Sequence, residues 1–384
     1  MSRKSLEIFV EPKVLIWARE SMGLSIHAVA KKLKVSEDIV SKWESKQKKP
    51  TLNQIEKFAK LCKRPLAVFF LSEPPEELPL PKDFRTLPPE KRKPFSLATR
   101  LAIRRARRLQ SLASELAKSL NRELISRIGR ISLSDDPEVV TLRMREQLNV
   151  EVQTQFNWED ENEAFNEWKK MMERCGILVL QIGMPLEETR GFSLTDGLPV
   201  IVLNYRDSIH GRIFSLFHEY AHILLNNCGV CNMEDQDHLT DEAISVEKFC
   251  NHFAGAFLVQ KGALLDHDLI RGRYLSECSD EMLGKIAKSF KVSREVILRR
   301  LLILGLTPED FYRRKREEWE ERRPIRWGHH NPPKRCIQEN GVPFVSLVLE
   351  SHKEEKITYS DVADYLAIRT KHLPKIEELI GSKV

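Results

Sequence analysis

One short stretch of the sequence, residues 213–225, limits the possible folds more than any other. It reads IFSLFHEYAHILL, so a helix formed here is apolar on every side and must be buried. Two histidines and a glutamate in such a helix are costly unless they are hydrogen-bonded or bind a metal ion. His218 and His222 lie four residues apart, hence on one helical face, with Glu219 beside them. This HExxH spacing is typical of zinc hydrolases; the alternative is a pair of hydrogen-bonded core histidines.

A catalytic zinc ion needs a third protein ligand and an open fourth position. The next predicted helix reads DEAISVEKFCNHFAGAFLVQ from Asp241 onward. Its apolar stripe consists of Val246, Phe249, Cys250, Phe253, Ala254, Phe257 and Leu258. Glu247 lies at the edge of this stripe, where its carboxylate can reach the core, and is the expected third ligand. His238, His252 and Asp241 are weaker candidates, because the two histidines lie off the stripe and Asp241 is needed at the helix start.

Three predicted strands precede the HExxH helix. Residues 176–181 and 200–203 are almost wholly apolar, and residues 190–194 lead through an Asp-Gly turn at 196–197 into the last strand. We therefore expect a small sheet that packs under the HExxH helix.

The N-terminal part predicts four or five short helices between residues 14 and 71, from apolar residues at helical spacing. Ser25 and Ser36 can each cap a helix, and only Lys34 and Val35 separate the two helices, which is the spacing of a helix-turn-helix. The segment resembles the XRE (Cro/repressor-like) family. The residues that carry this resemblance are AKKLKVS at 30–36, Trp43-Glu44 and Pro50-Thr51-Leu52.

The first turn of the second of these helices carries Glu37 and Asp38, which repel phosphate and pair poorly with any base except cytosine. The candidate DNA contacts are Ser36, Ser41, Lys42, Ser45 and Lys46. A helical domain that docks on a protein is the alternative.

The net charge of +6 is unevenly distributed along the chain. It is +7 over residues 1–73, +8 over residues 91–108 and −9 over the remaining 293 residues. Such a basic front favours nucleic acid as a partner, or is simply a solvated surface. The second basic segment contains Arg100, Arg104, Arg105, Arg107 and Arg108. These arginines could bind phosphates or could pair with the acidic part of the same protein.

The stretch around the HExxH motif resembles the ImmA/IrrE family of zinc metallopeptidases, over roughly 110 residues when the flanking Trp168 to Val179 are included. The matching residues are Arg190-Gly191-Phe192, Asn204, Arg212-Ile213-Phe214, His218 to His222 and Glu247 to Ala254. The chain departs from the family at Leu258-Val259-Gln260, where the family usually has Leu-Met-Pro. An N-terminal XRE domain is a common partner of this peptidase domain.

The resemblance implies a gluzincin-like site in which His218, His222 and Glu247 bind zinc and Glu219 is the general base. It also implies site-specific cleavage of a protein, often a repressor or antitoxin-like regulator, in response to stress or foreign DNA. Tyr205, Arg212, Asn251 and His252 are candidates for stabilising the oxyanion, and none of them is preferred. The alternative function is a DNA-binding transcriptional regulator whose peptidase fold senses a ligand or a partner.

We expect a mainly α fold with a small β-sheet (α+β): a helix-turn-helix bundle, a gluzincin-like metallopeptidase domain and a helical C-terminal domain. The predicted segments are an XRE-like domain (1–73), a Pro-rich linker (74–94), a helical connector with the basic helix (95–160), the peptidase domain (161–265), a helical support (266–318) and a linker with C-terminal helices (319–384). The support contains AKSFKVS at 287–293, a near copy of residues 30–36, followed by a more apolar helix that we expect to be buried. The prolines in residues 324–340 predict that this stretch is extended linker.

Several weaker signals complete the prediction. Cys228 and Cys231 form a CxxC pair, which is more often two loop cysteines than a redox or metal site. His329-His330 resembles a metal pair only superficially. Seven cysteines, no apolar run of ~20 residues and no signal-like start predict a cytoplasmic protein without a membrane partner. A homodimer is possible.

Overall fold

The computed structural model describes a mainly helical protein with one small sheet, as the sequence predicts. The described residues are 6–76, 95–123, 128–226, 241–320 and 331–381. They form two compact units, one comprising Met1–Leu80 with Lys93–Arg104 and the other Pro81–Arg92 with Arg105–Val384. No helix in these ranges is both long and apolar enough to cross a bilayer. The Pro-rich linker, the CxxC pair, His238 and His329-His330 lie outside the described residues, apart from the first three linker residues.

The first unit contains four helices and a short 3₁₀ helix. Their bounds are α1 (Pro12–Glu20), α2 (Ile26–Leu33), α3 (Glu37–Glu44), α4 (Leu52–Leu61) and the 3₁₀ helix Leu66–Phe70. Ser25 and Ser36 cap α2 and α3, as predicted. The turn between them is short because Lys34 adopts a left-handed conformation (φ 57°). One apolar core, which includes Val14, Val29, Val40, Trp43, Ile55 and Phe58, holds the bundle together.

The described part of the second unit begins at Arg105, within α5, and is built around the sheet. The helices before the sheet are α5 (Leu97–Ser119), α6 (Pro137–Gln147), α7 (Val152–Asn157) and α8 (Glu161–Arg174). The strands are β1 (Leu178–Ile182), β2 (Gly191–Leu194) and β3 (Val200–Asn204). The strand order is β1-β3-β2, with β1 parallel to β3 (Leu178 opposite Val200) and β2 antiparallel to it (Phe192 opposite Val202).

Helices α9 (Ile209–Asn226) and α10 (Asp241–Leu258) follow the sheet. Helix α9 packs on β2 and β3, and α10 packs along α9 and α6. The remaining helices are α11 (Lys261–Leu265), α12 (Asp280–Phe290), α13 (Arg294–Ile303), α14 (Glu309–Glu320), α15 (Pro332–Asn340), α16 (Val342–Lys353), α17 (Tyr359–Tyr365), the 3₁₀ helix Thr370–His372 and α18 (Leu373–Gly381). The core of this unit centres on Trp168, which contacts the rings of Trp158, Phe217 and Phe257 edge-on.

The repeated segment 287–293 forms a second helix-turn-helix-like hairpin. Ser293 caps α13, and Lys291 adopts the same left-handed turn conformation (φ 55°) as Lys34. Helix α13 is buried through Val296, Ile297, Leu298, Arg300 and Leu301. The expectation that this helix is buried is confirmed, since one side of it packs into the core, whereas the structural role of the whole support stays a prediction.

The prediction that residues 324–340 are extended linker is wrong for residues 332–340, which form α15. Pro332 and Pro333 occupy its first turn, where the missing backbone N–H is not needed, and Asn331 caps it. Cys336, Ile337 and Asn340 are buried. Residues 321–330 lie outside the described part of the chain.

The arginines of α5 contact other parts of the protein. Within the second unit, Arg105 pairs with Glu339 (2.8 Å), and Arg107 and Arg108 pair with the carboxylates of Asp196 and Asp364. Within the first unit, Arg104 donates to the carbonyls of Cys62 and Lys63, and Arg100 donates to the carbonyl of Phe95. The alternative that these arginines pair with the acidic part of the same protein is therefore confirmed for Arg105, Arg107 and Arg108. Arg100 and Arg104 bind backbone carbonyls instead.

Candidate metal centre

Helix α9 places the HExxH motif inside the core. His218 is fully buried, and Glu219 and His222 are 4% and 7% exposed. The apolar residues around the motif, Ile213, Leu216, Phe217, Tyr220, Ala221, Ile223 and Leu224, are buried as well. The motif is therefore fixed by packing on every side.

Helix α10 brings the carboxylate of Glu247 to the two histidines. The Nε2 atoms of His218 and His222 lie 3.1 Å apart. Glu247 Oε1 lies 3.0 Å from His222 Nε2, and Glu247 Oε2 lies 3.4 Å from His218 Nε2. One ligand atom from each residue lies within 4.8 Å of the other two. The three side chains thus converge on one point.

This arrangement fits a tetrahedral metal ion. With metal–nitrogen bonds of about 2.0–2.1 Å, two ligand nitrogens of such a site lie about 3.3 Å apart, close to the separation of the histidine Nε2 atoms. Glu247 Oε1 is also buried without an aligned hydrogen-bond donor among the described residues. Two imidazoles and one carboxylate are a ligand set that zinc uses in hydrolases.

The charges of the three groups reinforce one another. Burial opposes ionisation of Glu247, but the adjacent imidazoles of His218 and His222 lower its pKa well below the ordinary value. Burial likewise opposes a charged imidazole, yet Cys250, Glu247 and Glu219 raise the pKa of His222 well above its ordinary value. The cluster favours a positive charge at its centre, which a proton or a cation can supply.

The catalytic candidate Glu219 lies against the edge strand β2. Ser193 Oγ donates to Glu219 Oε2 at 3.1 Å. Gly191, two residues earlier and on the same face, leaves room for this carboxylate: an added Cβ would lie 3.5 Å from Glu219 Cγ and only 2.9 Å from the carbonyl oxygen of Val202. Sequence reasoning missed Ser193, although the period-2 pattern of β2 places it on the face of Gly191.

Two further contacts of the centre come from α10. Asn251 Oδ1 lies 3.1 Å from His218 Nδ1. A hydrogen bond joins Cys250 to His222. Cys250 follows Glu247 by three positions and Asn251 by four, so both share its side of the helix.

The weaker candidates for the third ligand lie elsewhere or outside the described residues. His252 Nε2 lies 2.7 Å from Glu138 Oε1 of α6. Asp241 is the first residue of α10, and its side chain is not among those described. Of the two candidates whose side chains are described, Glu247 lies at the histidines and His252 does not.

Two of the residues considered for the oxyanion lie near β1. The ring of Tyr205 covers Gly183, where an added Cβ would lie 2.6 Å from its hydroxyl oxygen. Arg212 donates to Gln181 Oε1 at 2.6 Å. The other two, Asn251 and His252, contact His218 and Glu138. An oxyanion role for any of the four stays a prediction.

A buried ion pair between helices was also missed. Arg300, fully buried in α13, donates through Nη1 and Nη2 to both oxygens of Glu138, at 2.6 and 2.9 Å. His252 of α10 binds the same carboxylate. Burial tends to raise the pKa of Glu138, but its hydrogen bonds with His252 and Arg300 lower it to about 2. No motif links these three residues, so single-sequence reasoning had no signal for them.

The candidate DNA contacts lie on the exposed side of α3 in the first unit. Ser36 Oγ accepts from the backbone N–H of Ile39 as the helix cap, and Lys42 pairs with Asp38 at 2.7 Å. Ser41 and Ser45 are exposed. A DNA phosphate would have to compete with Asp38 for Lys42.

Lys46 and Glu37 have protein partners too. Lys46 adopts a left-handed conformation (φ 64°), and its ammonium lies 4.9 Å from the centre of the Phe9 ring and 3.9 Å from Glu11 Oε1. Glu37 pairs with His27 at 2.8 Å across α2 and α3. All these pairs are exposed, so each contributes less than about 1 kcal/mol and can be exchanged for another partner.

Comparison with known protein families finds a match for each of two segments of the chain. Residues 172–302 match the IrrE N-terminal-like domain of peptidase family M78, and residues 15–69 match a helix-turn-helix family. No curated protein matches the chain. A solved structure titled Mycobacterium tuberculosis transcriptional regulator is 16% identical with a TM-score of 0.31, and the match covers 50% of this chain and 51% of that one. The chain therefore carries an XRE-type helix-turn-helix domain and an IrrE-like peptidase domain, the architecture of the ImmA/IrrE family.

Proposed function

We propose that the protein is a zinc-dependent endopeptidase that cleaves one specific regulatory protein, such as a repressor, in a stress, mobile-element or phage response. The observation that carries this proposal is the convergence of His218, His222 and Glu247 on one point, with Glu219 next in the chain to the first ligand. The match to the IrrE N-terminal-like domain supports the reaction class.

The chain's own residues suit peptide hydrolysis. Zinc, when bound, would polarise the scissile carbonyl and lower the pKa of a water molecule. His218, His222 and Glu247 would hold it. Glu219 would accept the proton of the attacking water and pass it to the leaving amine. Ser193 donates to Glu219 Oε2 and so would help to orient this carboxylate for proton transfer.

The substrate is expected to be a protein with one exposed cleavage segment. N-terminal proteomics would test this expectation. Cells of the source organism that express the wild-type protein should contain a new protein N-terminus that is missing from cells expressing Glu219→Gln. The glutamine variant should still bind zinc, because Glu219 is not a ligand. Cleavage products that are identical in both strains would contradict the proposal.

DNA binding by the helix-turn-helix unit is a second candidate function, favoured by the family match at residues 15–69. In that case the peptidase domain could act as a sensor of a ligand or partner. The test is fluorescence anisotropy with duplex DNA from the promoter regions around its own gene, at several salt concentrations. Sequence-selective, salt-dependent binding would support this function. Binding that does not distinguish these duplexes from unrelated DNA would argue for a protein-docking unit instead.

The domain boundaries, a cytoplasmic location and a homodimer remain predictions. Among the described residues, Cys62, Cys175, Cys250, Cys278 and Cys336 carry free thiols. Size-exclusion chromatography with light scattering would decide between monomer and dimer.

A further inference from the structure

We propose that Asn251 is a positioning residue that fixes His218 in the tautomer with a hydrogen on Nδ1, so that Nε2 carries no hydrogen and can bind the metal ion. The proposal rests on the proposed function, since it assumes that the centre binds zinc. It assigns Asn251 a role at the metal centre in place of one at the oxyanion.

The two nitrogens of His218 face different partners. Nε2 faces the centre, 3.1 Å from His222 Nε2 and 3.4 Å from Glu247 Oε2. Nδ1 faces Asn251 Oδ1 at 3.1 Å. A neutral imidazole carries one hydrogen, and only the nitrogen without it can bind a metal. A carbonyl oxygen next to Nδ1 holds the hydrogen on that side.

The opposite orientation of the amide is disfavoured by the same geometry. If Asn251 Nδ2 faced His218 Nδ1, it would donate, and the hydrogen of the ring would move to Nε2. That hydrogen would then point into the centre and block the ligand nitrogen. The metal ion and the Oδ1 orientation of Asn251 therefore stabilise each other.

The position of Asn251 on α10 makes this contact robust. Glu247 and Asn251 are separated by one helical turn and both reach His218 from the same helix. Helix α10 packs along α9 over most of its length, so the two contacts move together. An amide acceptor also adds no further charge to a fully buried ring, whereas a carboxylate would carry a desolvation cost.

The test is the zinc affinity of the full-length protein and three variants, measured by competition with a chromophoric chelator. Asn251→Leu keeps the approximate size and removes the acceptor, so its affinity should fall about 10- to 100-fold. Asn251→Asp keeps an acceptor, so its affinity should stay within about threefold of wild type or rise. Lys248→Leu, an exposed change on the same helix, is the matched control and should bind as wild type.

The spectra of the cobalt-loaded proteins distinguish a positioning role of Asn251 from a merely structural one. The visible d–d spectrum of Co²⁺ should change in Asn251→Leu and be restored in Asn251→Asp. If Asn251→Leu does not fold, Asn251→Ser replaces it, with the same expectation. Zinc affinity within twofold of wild type in the variant without an acceptor would overturn the inference. Failure of the wild-type protein itself to bind zinc would instead overturn the proposed function.

Discussion

Replacing Glu138 by glutamine tests how α6, α10 and α13 are held together. The Glu138 carboxylate of α6 binds the fully buried Arg300 of α13 and His252 of α10. Glu138→Gln keeps the shape of the side chain but leaves the guanidinium without its counter-charge. Breaking one partner of a buried ion pair typically costs about 3–5 kcal/mol.

The pKa of Glu138 points in the same direction. It is lowered from 4.5 to about 2, which at about 1.4 kcal/mol per pKa unit sets an upper limit of about 3 kcal/mol, and solvent screening of the partly exposed carboxylate reduces this to about 1–2 kcal/mol at neutral pH. Because the folded-state pKa is depressed, this contribution is complete above pH 4.5 and is lost as the pH falls towards 2. The variant should therefore lose stability at pH 7 but differ little from wild type near pH 2.

The free energy of unfolding is measured by urea denaturation. Hydrogen exchange of peptides from α6, α10 and α13 then shows where the loss of stability is located. Peptides from α1 to α4 serve as an internal control, because they belong to the other unit. Glu146→Gln, an exposed change on the same helix as Glu138, is the matched variant and should alter the free energy of unfolding by less than about 0.5 kcal/mol. A loss below about 1 kcal/mol in Glu138→Gln at pH 7 would refute the reasoning.

Three further predictions concern the edge strand and the helix-turn-helix. Ser193→Ala should slow cleavage of the substrate found by proteomics about tenfold with unchanged zinc content, because Glu219 loses its hydroxyl donor. Ser193→Thr keeps the hydroxyl and should retain most activity. Equal cleavage rates in the wild type and both variants would show that the contact does not contribute to catalysis. Gly191→Ala should destabilise the sheet by about 1–3 kcal/mol in urea denaturation, since its Cβ would lie 2.9 Å from the Val202 carbonyl oxygen; an unchanged midpoint would show that the strand can shift. If the first unit binds DNA, Lys42→Ala should reduce the slope of log affinity against log salt by about one, and an unchanged slope would mean that Lys42 stays with Asp38.

Those parts of the fold that depend on local pattern could be predicted from the sequence. The all-round apolar pattern of residues 213–225 predicts a buried helix, and the caps at Ser25 and Ser36 predict two helices of the first unit at their observed starts. Glu247 was selected because it lies at the edge of an apolar stripe, and the structure places it beside the histidines. Each of these inferences uses residues within one or two helical turns.

The contacts that could not be predicted join residues far apart in the chain. Arg300 and Glu138 are separated by 162 positions, and Ser193 and Glu219 by 26. Helical and strand periodicity relates only residues that are close in the sequence, so it predicts neither of these contacts. No residue type by itself indicates such a pair. The prediction for residues 332–340 was wrong for a different reason. Two adjacent prolines suggested an extended chain, although the first turn of a helix also accepts prolines.

Zinc stoichiometry and affinity test the central claim most directly. Elemental analysis of the purified, zinc-supplied protein should give one zinc per chain, Glu219→Gln should match it, and Glu247→Ala should lose most of the metal. This pattern would show that His218, His222 and Glu247 hold the ion while Glu219 is left for chemistry. A wild-type protein without zinc, or a Glu247→Ala variant that binds zinc as tightly as wild type, would contradict the account.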